Sequence, residues 1–108
     1  MARIDIGTTD VPSAGTRVSL SADGGLNVGD QIIKASFQAN PANSGSVFVG
    51  MVDVSSSNGW TLIAPVAARE GNVLSLDFSN IGSVSVGDIY FDAASNGDDV
   101  QWMIVLDP

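Results

Sequence analysis

Residues 46–64, SVFVGMVDVSSSNGWTLIA, form the stretch around which the apolar pattern of this chain is organised. Val47, Val49 and Met51 share one parity, with Val54 just beyond, and Phe48 and Val52 are apolar on the opposite parity. That pattern predicts a strand buried on one face and partly covered on the other. Ser55-Ser56-Ser57-Asn58-Gly59 follows, and its Asn-Gly pair signals a turn because both residues tolerate positive φ. Trp60-Thr61-Leu62-Ile63 then resumes extended chain.

The other segments repeat this short-strand rhythm. Residues 2–7 alternate Ile4 and Ile6 against Arg3 and Asp5, which reads as a short edge strand or as an extended arm (residues 1–7) reaching a partner. Residues 8–15, with Pro12 and Gly15, are predicted as loop, and residues 16–20 as a strand facing Val18 and Leu20 inward. Residues 21–30 read as a turn or short edge strand. Residues 31–39 predict a strand with Ile33, Ala35, Phe37 and Ala39 on its buried parity, ended by Asn40-Pro41. Residues 64–71 hold the one helical turn the pattern allows.

Leu74, Leu76 and Phe78 alternate cleanly over residues 72–78, and residues 82–87 read as a small-residue loop. Residues 88–94 and the nearly all-apolar 100–106 complete the set, separated by the Asn96-Gly97 turn signal. About eight short strands with no long helical period predict an all-β chain: one domain over residues 1–108, an antiparallel sandwich or jelly roll. Val28-Gly29-Asp30-Gln31-Ile32 and Val86-Gly87-Asp88-Ile89-Tyr90 echo each other, which Gly-Asp turn chemistry explains without an internal repeat.

Composition changes the picture mainly by subtraction. Histidine and cysteine are absent, which removes Ser-His-Asp and Cys-His nucleophile systems and the common zinc sites. Asp98-Asp99, or Asp88 with Asp92, are the carboxylate pairs on paper for glycoside hydrolysis, but they read better as a solvated turn and as strand flanks. Residues 23–30, DGGLNVGD, match a calcium loop poorly: Gly25 and Val28 stand where a ligand and the turn glycine are required. The chain is therefore expected not to be an enzyme and to use no cofactor or metal.

Twelve acidic against four basic residues give net charge -8, which argues against a nucleic-acid partner. No apolar run approaches the ~20 residues of a membrane span, and residues 1–10 lack the basic and apolar regions of a signal peptide. No membrane partner is expected, and synthesis in the cytoplasm is. Only 15% of residues are charged, against about 25% in a typical domain, so much of the surface is neutral, as suits a protein packed against neighbours. Trp102 and Tyr90 lie in strands, whereas Trp60, directly after a turn, is the aromatic placed for exposure and ligand contact.

Several runs carry a likeness: Ala14 to Leu20 (AGTRVSL), Asn40 to Gly50 (NPANSGSVFVG), Asp53-Val54-Ser55, Asn58 to Leu62 (NGWTL), Asp88 to Gly97 (DIYFDAASNG) and Val100-Gln101-Trp102. In this order they resemble small β-rich virion structural proteins of tailed bacteriophages, such as head decoration (cement) proteins and small tail or fibre domains. One loop departs: where such proteins carry Pro-Gly-Glu after the Leu62 position, Pro65 here is followed by Val66-Ala67-Ala68-Arg69 before Glu70-Gly71. The resemblance implies a non-enzymatic virion protein on the capsid exterior, made in the host bacterial cytoplasm and bound to the major capsid protein as a homotrimer. Arg3, Ile4 and Ile6 are then the candidate arm, and Arg17 and Arg69 candidate partners for acidic shell groups. The alternatives are a tail or fibre module that binds a host surface glycan through Trp60, and an internal tail or connector component.

Overall fold

The alternating segments become eight β-strands in the computed structural model, which describes residues 3–22, 26–64, 71–79 and 84–107. They are β1 (Arg3–Val11), β2 (Val18–Ser19), β3 (Ile32–Ala39), β4 (Val47–Gly50), β5 (Trp60–Leu62), β6 (Val73–Asp77), β7 (Tyr90–Ala93) and β8 (Asp98–Leu106). The expected all-β sandwich is what the chain forms, as two four-stranded antiparallel sheets in the orders β1-β8-β3-β6 and β2-β7-β4-β5. Partners are matched from the outside in: β1 with β8, β2 with β7, β3 with β6 and β4 with β5. The chain is folded in half around the loop between β4 and β5, and the doubled ribbon is then rolled so that its halves face each other.

Alternation along β8 builds much of the core, because Val100, Trp102, Ile104 and Leu106 all point between the sheets. Full burial of each such side chain contributes about 1.5–3 kcal/mol. Phe37 of the first sheet meets Phe91 of the second edge to face, with ring centroids 5.7 Å apart, and so ties the layers together. Trp102 lies along the inner side of β1: its Nε1 donates to Thr9 Oγ1 at 2.9 Å, and a Cβ at Gly7 would stand 2.5 Å from its Cζ2. Only glycine leaves room there for the indole.

Several expectations change. β1 continues through Thr8 to Val11, where the pattern predicts loop, because pairing with residues 98–101 of β8 supplies the ladder that local periodicity does not announce. In β3 it is Ile32, not Ile33, that joins the core. A register shift between Ile32 and Lys34 takes up the extra residue and restores the parity of Ala35, Phe37 and Ala39. β4 stops at Gly50, and Met51 and Val52 are exposed instead of continuing the strand. A turn closed by Val54 N donating to Met51 O at 3.0 Å brings Val54 back over Gly50, whose missing side chain makes the space.

Leu20 is buried as expected but within a 3-10 turn (Leu20–Ala22) that follows the short β2. The loop around residue 84 is core, with Val84 and Val86 buried, and a 3-10 turn (Val86–Asp88) begins with a Ser85–Asp88 capping box. The two echoing segments meet: Ile32 N donates to Val84 O, Val86 N to Asp30 O and Gly87 N to Val28 O. The expected helical turn over residues 64–71 falls mostly outside the described residues.

Candidate interaction surface

The outer faces of the two sheets are finished differently. On the second sheet, Phe48 and Asp92 are register partners that point away from the main core, yet both are buried. The chain itself roofs them. Gly15 N donates to Asp92 Oδ1 at 2.9 Å, Arg17 Nη1 donates to the carbonyl of Val54 at 3.3 Å, and Val54 covers Gly50. This is why Phe48 is apolar on the parity opposite Val47 and Val49.

The first sheet has no such roof among the described residues. Its register sets out the outward side chains in rows running from β1 towards β6: Thr8, Gln101, Gln38, Val73; then Ile6, Met103, Ser36, Ser75; then Ile4, Val105, Lys34, Asp77. Ile4, Ile6, Met103 and Val105 thus form a two-by-two aliphatic block on β1 and β8. Ile6 is 76% exposed and Ile4 63%, with Met103 at 45% and Val73 at 60%. A one-sided antiparallel sheet ordinarily turns a polar face to water. Here Gln38 Nε2 donates to Gln101 Oε1 at 2.7 Å and the Ser36 and Ser75 hydroxyls bond at 3.2 Å, so the polar centre satisfies itself. A shallow depression of about 440 Å³ runs between Ile6 and Met103 on one side and Val73 on the other.

The end of this face is acidic. Asp10 and Asp99 are directly opposed across β1 and β8. Partial burial, and then the neighbouring Asp10 carboxyl, push the Asp99 carboxyl above its ordinary value, while the bond from Asn40 Nδ2 acts against that. Residues 40–45 are clamped to the same place. Asn43 forms a two-way bond with the Asp99 backbone, its Nδ2 donating to O and its Oδ1 accepting from N, both at 2.8 Å. Asp98, only 4% exposed, accepts from Ser44 N at 2.9 Å and Gly45 N at 2.8 Å. The solvated-turn reading of Asp98-Asp99 is thereby corrected, since both residues open β8 and hold a loop.

The sequence-derived candidates are scattered. Arg3 sits in β1 as part of the edge ladder, and its Nε and Nη2 contact Asp5 Oδ2 at 3.2 Å and Asp30 Oδ2 at 3.4 Å. Ile4 and Ile6 lie in the aliphatic block, Arg17 belongs to the roof of the other sheet, and Arg69 lies outside the described residues. Trp60 is 62% exposed on the edge strand β5, paired with Val49. Asp88 caps its 3-10 turn through Ser85, and Asp92 is held under the roof, so these two carboxylates serve separate structures. Among the described residues no group of three or more Asp or Glu side chains is arranged to hold a metal ion. The pattern reading missed Met103, Val105 and Val73, whose signal was an apolar residue on the outward parity of an alternating strand.

No protein-family model matches the chain, and no curated protein does. Among solved structures the fold is similar to a chain of the "Cyanophage Pam1 capsid asymmetric unit", at a TM-score of 0.53 and 11% identity, covering 97% of this chain and 83% of that one. The likeness is one of fold.

Proposed function

We propose that this chain is a non-enzymatic structural protein of a tailed-bacteriophage virion. In this reading it is a decoration (cement) protein that seats the outer face of its first sheet on the outside of the head. The observation that carries the reading is the unroofed block of Ile4, Ile6, Met103 and Val105, beside a second sheet whose outward apolar residue is covered by the chain's own loops. Exposed aliphatic groups grouped on one face mark interaction sites. The partner is the major capsid protein of the same phage, and the fold likeness to a chain of a capsid asymmetric unit, together with the resemblance carried by the 40–62 motifs, supports that choice.

Binding of this kind rests on neutral contacts repeated over symmetry-related copies, with the chain acting as a trimer at local three-fold positions. Arg3 and Arg17 already hold partners within the chain, so the aliphatic block supplies the contact. Replacing Ile4 and Ile6 together by Ser alters only exposed side chains and leaves the melting temperature near that of the parent. In co-sedimentation with undecorated capsids the double variant is expected to bind tenfold to a hundredfold more weakly, as loss of about 1.4–2.8 kcal/mol of apolar burial implies. Unchanged binding at unchanged stability removes this face from the proposal.

A further inference from the structure

The chain contains two Asn-Gly pairs, Asn58-Gly59 and Asn96-Gly97, both exposed and both in turns. Asparagine followed by glycine is chemically labile, since no side chain hinders the following amide nitrogen. The structure treats the two pairs differently. Gly97 N donates to Val11 O at 2.8 Å, and Asn96 Oδ1 accepts from Ala14 N at 2.8 Å, so the nucleophile and the electrophilic side chain are both held. Gly59 N has no acceptor among the described residues. The Asn58 backbone exchanges two bonds with Ser55, at 2.9 and 3.1 Å, but among the described residues its side chain has only an exposed bond, from Nδ2 to Asp53 O at 3.1 Å, and its Oδ1 accepts none.

We propose that Asn58 is a self-modification site of this protein, and that Asn96 is protected by its contacts. The Gly59 nitrogen attacks Cγ of Asn58 and forms the N–Cγ bond of a five-membered succinimide. The Gly59 proton passes to solvent, and the side-chain nitrogen takes up a proton and leaves as ammonia. Water then opens the ring at either carbonyl, giving aspartate or isoaspartate, so the net change is water consumed and ammonia released. Sequence cannot escape this at Gly59. Its φ is +142°, and a Cβ there would stand 2.9 Å from Val49 O and 2.8 Å from Val54 Cγ2. The product adds a negative charge, and in the isoaspartate form an extra backbone atom, to the tight Ser55–Asn58 turn that precedes Trp60.

The test is ageing of the intact folded protein at mildly alkaline pH, followed by peptide mapping with mass spectrometry and enzymatic isoaspartate labelling. A urea-unfolded sample and an Asn58→Ser variant run alongside. In the folded chain Asn58 is expected to convert at least about tenfold faster than Asn96, the factor that ~1.4 kcal/mol of local opening supplies. In urea the two rates converge, and the variant loses the folded-state product. Equal rates in the folded chain, a faster Asn96, or an Asn58 that stays intact overturns the proposal.

Discussion

At the scale of single residues, two positions carry consequences that local chemistry alone does not disclose. Gly7 sits in a strand, where glycine is normally a weakness, and is retained because Trp102 occupies the space of its side chain. Gly7→Ala therefore overpacks the core and is expected to cost about 1–3 kcal/mol in urea unfolding, with a red shift as the indole loses its fit against Thr9. Wild-type stability would sink this account. Asp99 is the second position. Its folded-state pKa is raised, chiefly by burial and then by Asp10, so its contribution to stability is present below the ordinary carboxylate pKa and is lost as pH rises through the raised value. Asp99→Asn keeps an acceptor for Asn40 and removes the charge. The variant is expected to melt above the parent at neutral pH, with the gap closing as pH falls toward about 4. A gap that is constant with pH rules the carboxyl out as its cause.

At the scale of elements, the sequence disclosed strands wherever alternation reported burial, and it failed where burial came from elsewhere. Residues 35–39, 74–78 and 100–106 alternate because one face meets the core, and all lie where expected. Residues 8–11 alternate poorly, since Thr8 and Asp10 face water and Thr9 is buried by accepting from Trp102, yet they complete β1. Met51 and Val52 look like strand, but the return of Val54 over Gly50 ends β4 first. At the candidate surface, Ile4 and Ile6 were legible as an amphipathic pair, whereas their grouping with Met103 and Val105 depends on register across β1 and β8, which no local pattern encodes. Register also bears on the arm reading. Residues 3–7 lie against β8 and over Trp102, so deleting residues 1–7 uncovers the indole. Such a truncation is expected to lower stability by several kcal/mol in denaturant unfolding. A truncated chain as stable as the parent would instead show that β1 is dispensable to the fold.

At the scale of the whole molecule, net charge -8 is carried away from the uncharged block of Ile4, Ile6, Met103 and Val105, so binding through that block would have little electrostatic component. If the aliphatic block meets the shell, raising the salt concentration leaves co-sedimentation with capsids unchanged or slightly stronger, because screening weakens charge pairs and not apolar burial. A steep loss of binding with salt would move the contact to the charged groups. The acidic pair Asp10 and Asp99 lies two rows beyond Ile6 and Met103, past Thr8 and Gln101, and disfavours a partner with an acidic surface at that end.

The outside-in pairing of the strands also governs how the protein is made. β8 lies between β1 and β3, and its register joins Leu106 to Arg3, residues nearly the full length of the chain apart. The first sheet therefore has a gap at its centre until the latest of its strands has left the ribosome. High contact order of this kind makes folding slow, on the order of milliseconds to seconds. Until β8 arrives, β1 has neither its ladder nor Trp102 beneath it, so Ile4 and Ile6 pass through synthesis on an unpaired segment. The aliphatic face proposed for docking is thus also the part of the nascent chain most open to premature association, and β8 both completes the core and removes that hazard.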